Sequence, residues 1–397
     1  MNIIFNSDRQ KVPIRNWCGN PEPAALEQAV NVSNHPAIAG HVALMPDLHP
    51  GYGMPIGGVA ALKDAVSPNM VGVDIACGMM ASKFDFKADW LSHEDMILIM
   101  REIRNHVPMG MKHQKDNSVF KKEARDLIER HKTGTRNLEK GAGLVSFDAV
   151  AEQLGTLGGG NHFIEMQADE EGFMWFMIHS GSRNIGKCVC DKFNRIAKEL
   201  NARHRIKLPA PDLAFLPTDS EEGREYLALL DFCMDFSYLN RECMLKQIEE
   251  SLKKVIGKIP HTTGRINIHH NYAALEEHFG EKVWVHRKGA TCAAEGNIGI
   301  IPGSMGTSSY IVKGKGNEEA FSSCSHGAGR VMGRNAAAKT FSMEQFRKSM
   351  QGVVFNCSEK FLDESPMAYK DIDSVMDEQK DLVDMVHRLR PLAVEKG

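Results

Sequence analysis

The chain has 397 residues, 42% hydrophobic and 25% charged, with a formal net charge of −3. That length supports one large domain or two ordinary ones, and the near-balanced charge excludes a wholesale basic nucleic-acid binder, so an RNA or DNA partner needs a local patch. Nine irregularly spaced cysteines without a Cys-x-x-Cys pair exclude a disulfide framework and a zinc ribbon.

The N-terminus lacks a basic, then long apolar leader. No run approaches the roughly 20 apolar residues of a membrane helix. A reducing, cytoplasmic protein with no membrane contact is expected. A helix is predicted over 23–32, ended by Asn34 and Pro36. The run from His41 reads as an apolar strand breaking into a loop with Asp47, His49 and several glycines, and a second strand follows Gly57-Gly58. His49 alone reads as a hydrogen-bonded loop histidine.

Val71-Gly-Val-Asp74-Ile-Ala-Cys77-Gly78 reads as a strand running into a tight turn that aims a carboxylate and a thiol at one point. Taken alone, Asp-x-x-Cys is a turn cap beside a structural cysteine. A helix is predicted over 92–103. The stretch 112–140 is polar and basic; a solvated helix and loop is its simple reading, and a phosphate-facing patch its functional one. Gly155-Thr-Leu-Gly-Gly-Gly160 then opens onto Asn161, His162 and Glu165, a glycine run that lets backbone N–H groups approach an anion. It lacks the Gly-Lys-Ser/Thr of a nucleoside-triphosphate P-loop.

Strands are predicted over 163–167 and 173–178, the second ending in His179-Ser-Gly-Ser-Arg183, with a helix from Asn184. Thr218-x-x-Glu221 reads as a capping box opening a helix to Ile256, with a stripe through Leu227, Leu230, Met234, Tyr238 and Met244. Arg241, near one end of that stripe, is a candidate to face a site. His269-His270-Asn271-Tyr272 forms a third histidine cluster, followed by a predicted strand over 284–291. The loop 299–310 is rich in Gly and hydroxyls. Ser325-His326-Gly-Ala-Gly-Arg330 sets an imidazole beside an anion-binding turn and a guanidinium. A helix capped by Ser342 and an acidic, apolar helix near 373–389 are predicted for the tail. Apolar Leu392-Ala-Val394 is expected to dock the last residues on the body.

The histidine clusters are spread from 49 to 326, so a site drawing on them favours one domain over residues 1–397. Asp74, Cys77, His162, His179 and His270 are five candidate ligands, more than one metal usually needs. Two metals bridged by the Cys77 thiolate would use them all. Paired metals suit phosphoryl or nucleotidyl transfer, and mixed O, N and S donors suit Mn²⁺, Zn²⁺ or Co²⁺ over Mg²⁺. His326 has no evident structural duty, and a neutral imidazole is a competent nucleophile toward phosphorus.

Six motifs in order carry a resemblance: Gly72-Val-Asp74-Ile-Ala-Cys77-Gly-Met79, Gly158-Gly-Gly-Asn161-His162-Phe163, His179-Ser-Gly-Ser-Arg183, His269-His270-Asn271-Tyr272, Pro302-Gly-Ser-Met-Gly306 and Cys324-Ser-His326-Gly-Ala-Gly-Arg330. From about residue 40 onward the chain resembles the RtcB family of RNA ligases. The resemblance implies a single α+β domain of mixed sheets and surrounding helices with a central metal pocket. It also implies a GTP-dependent ligase with two Mn²⁺ ions, joining RNA 2′,3′-cyclic phosphate or 3′-phosphate ends to 5′-hydroxyl ends in RNA repair or tRNA splicing. By motif match Asp74, Cys77, His162, His179 and His270 hold metal, and His326 is the guanylylated nucleophile. Asn161, Glu165, Ser304, Ser309, Arg330 and Lys396 hold the guanylate. Phe163, His270, Asn271, Pro302, Gly303 and Met305 join them, as do Gly327, Ala328 and Gly329. A monomer is expected. Two rivals stay open: a metal-dependent phosphodiesterase or phosphatase with the same ligands, and a catalytically silent RNA-binding relative.

Overall fold

Short strands punctuated by glycine assemble into two large sheets in a computed structural model that describes residues 1–116, 118–132 and 146–397. The part of the polar stretch beyond residue 132 lies outside the described residues. The first sheet runs in the order Asn2–Ile4, Ile14–Asn16, Ile38–His49, Ile56–Leu62, Glu281–Lys288 and Asn271–His278. Its pairs are antiparallel except Ile14–Asn16 against Ile38–His49. The second follows the path Thr262–His269, Gly78–Lys87, Phe173–Ser180, Phe163–Ala168, Val383–Lys396, Ser309–Gly314 and Ile298–Ile301. It is antiparallel throughout, and Val354–Phe355 adds a parallel pair off this path. The two ends of the path, Thr262–His269 and Ile298–Ile301, approach each other, so the sheet curls toward a barrel. The fold is mixed α+β.

The 36-residue helix Glu221–Ile256 ties this together. Its first half buries Leu230, Phe232 and Phe236 with Val189 and Phe193 of the helix Arg183–Arg203. Its second half buries Met244, Leu245, Ile248 and Leu252 against Met80, Phe84 and Phe176 of the second sheet. Leu230 and Met244 of the expected stripe are buried, whereas Tyr238 is 46% exposed. The cap is Ser220, whose hydroxyl accepts from Gly223 N, and not Thr218; Ser220 places its oxygen three residues before a helical amide.

Helices at Pro23–Ser33, His93–His106 and Met343–Ser349 fall where the sequence predicts them, the last two with full capping boxes on Ser92 and Ser342. Three expectations of local structure fail. The run from His41 does not break into a loop at Asp47 but stays a strand through Asp47 to His49. The lead-in to Asp74 is a one-turn helix, Pro68–Val71, with proline at its start; the strand begins only after the loop, at Gly78. Gly78 cannot carry a side chain, because a Cβ there would collide with the carbonyl of Ile268 on the paired strand. The tail is a short helix, Ile372–Asp377, and then the 14-residue strand Val383–Lys396. That strand pairs first with Ser309–Gly314 and then with Phe163–Ala168, with a register shift after Pro391, where proline lacks an amide to donate.

Candidate metal centre and nucleotide cavity

Four neighbouring strands of the second sheet deliver the candidate ligands at one edge. Cys77 precedes Gly78–Lys87, and His270 follows Thr262–His269. His179 lies at the end of Phe173–Ser180, and His162 precedes Phe163–Ala168. The registers His269↔Gly78, Gly78↔Ser180 and Phe163↔His179 set these ends side by side. Residues nearly 200 positions apart in sequence thus meet because they share a sheet edge.

Cys77 Sγ lies 3.2 Å from His179 Nε2 and 3.4 Å from His162 Nε2. His179 Nε2 is 3.4 Å from His270 Nε2, and His162 Nε2 is 3.0 Å from Asp74 Oδ2. The side chains form two groups, Cys77–His179–His270 and Asp74–Cys77–His162, each with ligand atoms within 4.8 Å of one another and with Cys77 in both. His162 Nδ1 donates to the carbonyl of Leu157 at 2.9 Å and His179 Nδ1 to that of Asn161 at 3.2 Å. Both rings therefore carry their proton on Nδ1 and turn a bare Nε2 lone pair to the centre. Burial, more than the neighbouring charges, holds His179 and His270 far below the usual imidazole range, so both are neutral. Burial, reinforced by Asp74, raises the Cys77 thiol. Converging imidazoles, a thiol and a carboxylate fit a cation, and the shared sulfur fits two.

The loop is braced from behind. Arg241, fully buried, donates to Ser180 O at 2.7 Å, Asn267 Oδ1 at 2.7 Å and Ser237 Oγ at 2.6 Å. It does not face the site; it fastens the long helix to two of the four ligand-bearing strands. Asn271 donates from Nδ2 to Asp74 O at 3.1 Å and accepts from Gly289 N at 2.7 Å, so it braces the metal loop and does not line the cavity. Gly158, at φ +93°, leaves the space its side chain would fill to the Arg183 guanidinium.

A cavity of ≈690 Å³ opens beside the centre, sharing His179. Asn161, Phe163 and Glu165 line one side, Pro302, Gly303, Ser304 and Met305 another, and His326, Gly327, Ala328, Gly329 and Arg330 a third, with Lys396 at the end. Ser309 stands outside this lining; its hydroxyl accepts from Gln167 Nε2 at 3.1 Å and from Gly303 N at 3.3 Å, fixing the loop that does line it. The ring of His326 sits 4.8 Å from that of His270. Its Nδ1 is 2.6 Å from Asp47 Oδ2, which also accepts from His326 N at 3.1 Å and Gly327 N at 3.3 Å. Burial opposes a charge on Asp47, but the contact and hydrogen bond with His326, together with His49 and Lys370, outweigh it and hold the carboxyl low. The carboxylate fixes the proton on Nδ1 and leaves Nε2 free.

Glu364 gathers the cations at the far end. It meets Lys396 Nζ at 2.6 Å, Arg334 Nη1 at 2.8 Å, Arg330 Nη1 at 3.2 Å and the Tyr369 hydroxyl at 2.7 Å. Lys396 also donates to Asn161 O at 3.1 Å. Burial raises Glu165 to about 8, against the pull of Gln167 and Lys396. Asp47, Glu364, Arg334 and Tyr369 were not singled out from the sequence as site residues. Arg334, four residues after Arg330, and Asp47, two before His49 and a glycine-containing stretch, have a neighbouring signal; Glu364 and Tyr369 have none.

Comparison with known proteins identifies the family. The family model described as tRNA-splicing ligase RtcB matches residues 28–397. The chain is 39% identical to RNA-splicing ligase RtcB of Escherichia coli strain K12, over 98% of each protein. It is 34% identical to tRNA-splicing ligase RtcB of Archaeoglobus fulgidus, over 95% of this chain and 92% of the relative. With RNA-splicing ligase RtcB of Mycobacterium bovis it shares 32%, over 93% of this chain and 100% of the relative.

Proposed function

The chain belongs to the RtcB family of RNA-splicing ligases, and on that premise we propose that it is a GTP-dependent RNA ligase acting in RNA repair or tRNA splicing. It seals a 3′-phosphate, or a 2′,3′-cyclic phosphate after opening, to a 5′-hydroxyl through a guanylylated His326. The observation that carries this reading is the placement of His326: Nδ1 bound to Asp47, Nε2 free, and the ring beside His270 in a cavity shared with the metal centre.

His326 Nε2 attacks the α-phosphorus of GTP; the N–P bond forms, the bond to the bridging oxygen breaks, and pyrophosphate leaves. Asp47 stabilises the positive charge that develops on the ring. An oxygen of the RNA 3′-phosphate then attacks the same phosphorus and displaces His326. The 5′-hydroxyl next attacks the RNA phosphorus, and GMP leaves. Asp74, Cys77, His162, His179 and His270 would hold two divalent ions; the O, N and S donors suit Mn²⁺, Zn²⁺ or Co²⁺, and the family resemblance favours Mn²⁺. When bound, these ions clamp attacking and leaving oxygens and neutralise phosphate charge.

Glu165 and Lys396 line the cavity and would meet the guanine base, Lys396 as a donor and Glu165 as an acceptor once it has given up its proton. Asn161, Phe163, Ser304 and Arg330 complete the guanylate site, and Ser309 and Asn271 support it. All nine cysteines are free, which suits a reducing compartment, and we place the protein in the cytoplasm as a monomer of one domain. The test is sealing with GTP and Mn²⁺. RNA ends of the 3′-phosphate and 5′-hydroxyl type should join, and ends of the 3′-hydroxyl and 5′-phosphate type should not. Hydrolysis of the phosphate without joining would favour the phosphodiesterase reading.

A further inference from the structure

A basic loop stands against the glycine turn of the metal centre, and neither the ligands nor the nucleotide cavity use its side chains. Leu157 N donates to Pro108 O at 2.9 Å and Gly110 N to Gly158 O at 2.8 Å. Gln114 N donates to Glu152 O at 2.8 Å, and its side-chain amide to the carbonyls of Leu154 and Gly155 at 3.0 and 3.1 Å. Leu157 is also the residue whose carbonyl holds His162 Nδ1, so the loop's base bonds directly to the support of a candidate ligand. Arg183 joins them, with Nη2 3.5 Å from Gly110 O and its guanidinium packed over Gly158.

These anchors consume backbone groups and one amide. The ammonium groups of Lys112 and Lys115 have no partner among the described residues, and both side chains are exposed. The adjacent acid, Asp116, turns its carboxylate to Ser118 N at 2.8 Å. Met111, at the tip, is 92% exposed. Free cations on a loop hydrogen-bonded to the glycine turn of the candidate metal centre, on a chain whose net charge is −3, form a local patch of the kind an RNA partner requires.

The geometry points to the 108–116 loop as a docking surface for the sugar–phosphate backbone of the RNA strand whose end enters the metal centre. This rests on the ligase reading above. Lys112 and Lys115 are point charges that position phosphates without reading sequence, and Arg183 continues the row of cations to the centre.

The test uses the full chain, a single-stranded RNA bearing a 3′-phosphate, and fluorescence anisotropy across a salt series. Each phosphate contact to a single strand contributes about −0.7 to the log–log salt slope. The Lys112→Ala/Lys115→Ala double variant should therefore flatten that slope by about 1.4 and weaken binding roughly tenfold near 0.15 M salt. Guanylylation by GTP alone should be unchanged, KM for RNA should rise, and the double Arg variant should restore binding. An unchanged slope and affinity would overturn the proposal. So would a loss that is independent of salt and comes with lost GTP labelling, since the loop would then only support the metal centre. A wild type that binds the RNA but joins nothing would sink the ligase reading, leaving the docking surface to be decided by the salt slope alone.

Discussion

Replacing Asp47 by Asn tests the nucleophile's support at nearly constant shape. In the wild type one buried carboxylate oxygen receives His326 Nδ1 at 2.6 Å and two backbone amides at 3.1 and 3.3 Å. An Asn side-chain oxygen can accept the same hydrogens but carries no charge. A hydrogen bond to a charged group contributes about 1.5–3 kcal/mol and a neutral one about 0.5–1.5 kcal/mol. The difference, about 1–1.5 kcal/mol, applies most strongly when Nε2 bonds to phosphorus and the ring becomes cationic. At about 1.4 kcal/mol per factor of ten, Asp47→Asn should slow guanylylation by roughly tenfold. The assay is single-turnover formation of the enzyme–GMP adduct at saturating GTP, with thermal unfolding measured alongside. Asp47→Ala, which strips the acceptor from three donors, should be slower still and less stable. A wild-type rate in Asp47→Asn would make the aspartate a structural cap for the turn and not a partner in the chemistry.

Cys77→Ala should lose both metal ions or most of their affinity, since Cys77 belongs to both ligand groups; full occupancy by elemental analysis would make the cysteine structural. Glu165, raised to about 8 by burial, is mostly protonated at neutral pH, while the N–H edge of guanine favours its carboxylate. GTP affinity should therefore climb as pH rises toward about 8 and then level, with proton release on binding in calorimetry; a flat profile from about pH 6 to about 9 would remove Glu165 from the guanine edge. Lys396→Ala should weaken GTP use by roughly 1.5–3 kcal/mol, the range for a hydrogen bond to a charged group. Because it leaves buried Glu364 with one cation fewer, it should also lower the unfolding temperature. Guanylylation curves superimposable on the wild type would return the terminus to a purely structural role.

That the candidate ligands converge was legible from their company, each being weak alone. Cys77 and His162 sit close to glycines just before a strand, His179 closes a continuous apolar run and His270 follows an alternating one, so residue type and strand end coincide. What the local pattern could not show is partnership across the chain. Asp47 reads as one more loop acid until the fold sets it against His326, 279 residues away. Glu364 lies in a 3-10 turn with no motif around it, and its role as a hub for Arg330, Arg334 and Lys396 exists only in three dimensions. The tail misleads for a different reason. Val383, Val386 and Leu389 recur at a spacing that suits a helix face, yet the segment is claimed by two successive strand partners, and that pairing overrides local preference. Asp74 and Cys77 were placed correctly as neighbours at a turn, although the turn precedes its strand.

The most direct test of the central claim is to incubate the protein with α-labelled GTP and Mn²⁺, digest it, and locate the adduct by mass spectrometry. The account predicts one GMP on Nε2 of His326, discharged on adding RNA with a 3′-phosphate and absent in His326→Ala. A GMP adduct on another residue, or RNA sealing that persists in His326→Ala, would contradict it.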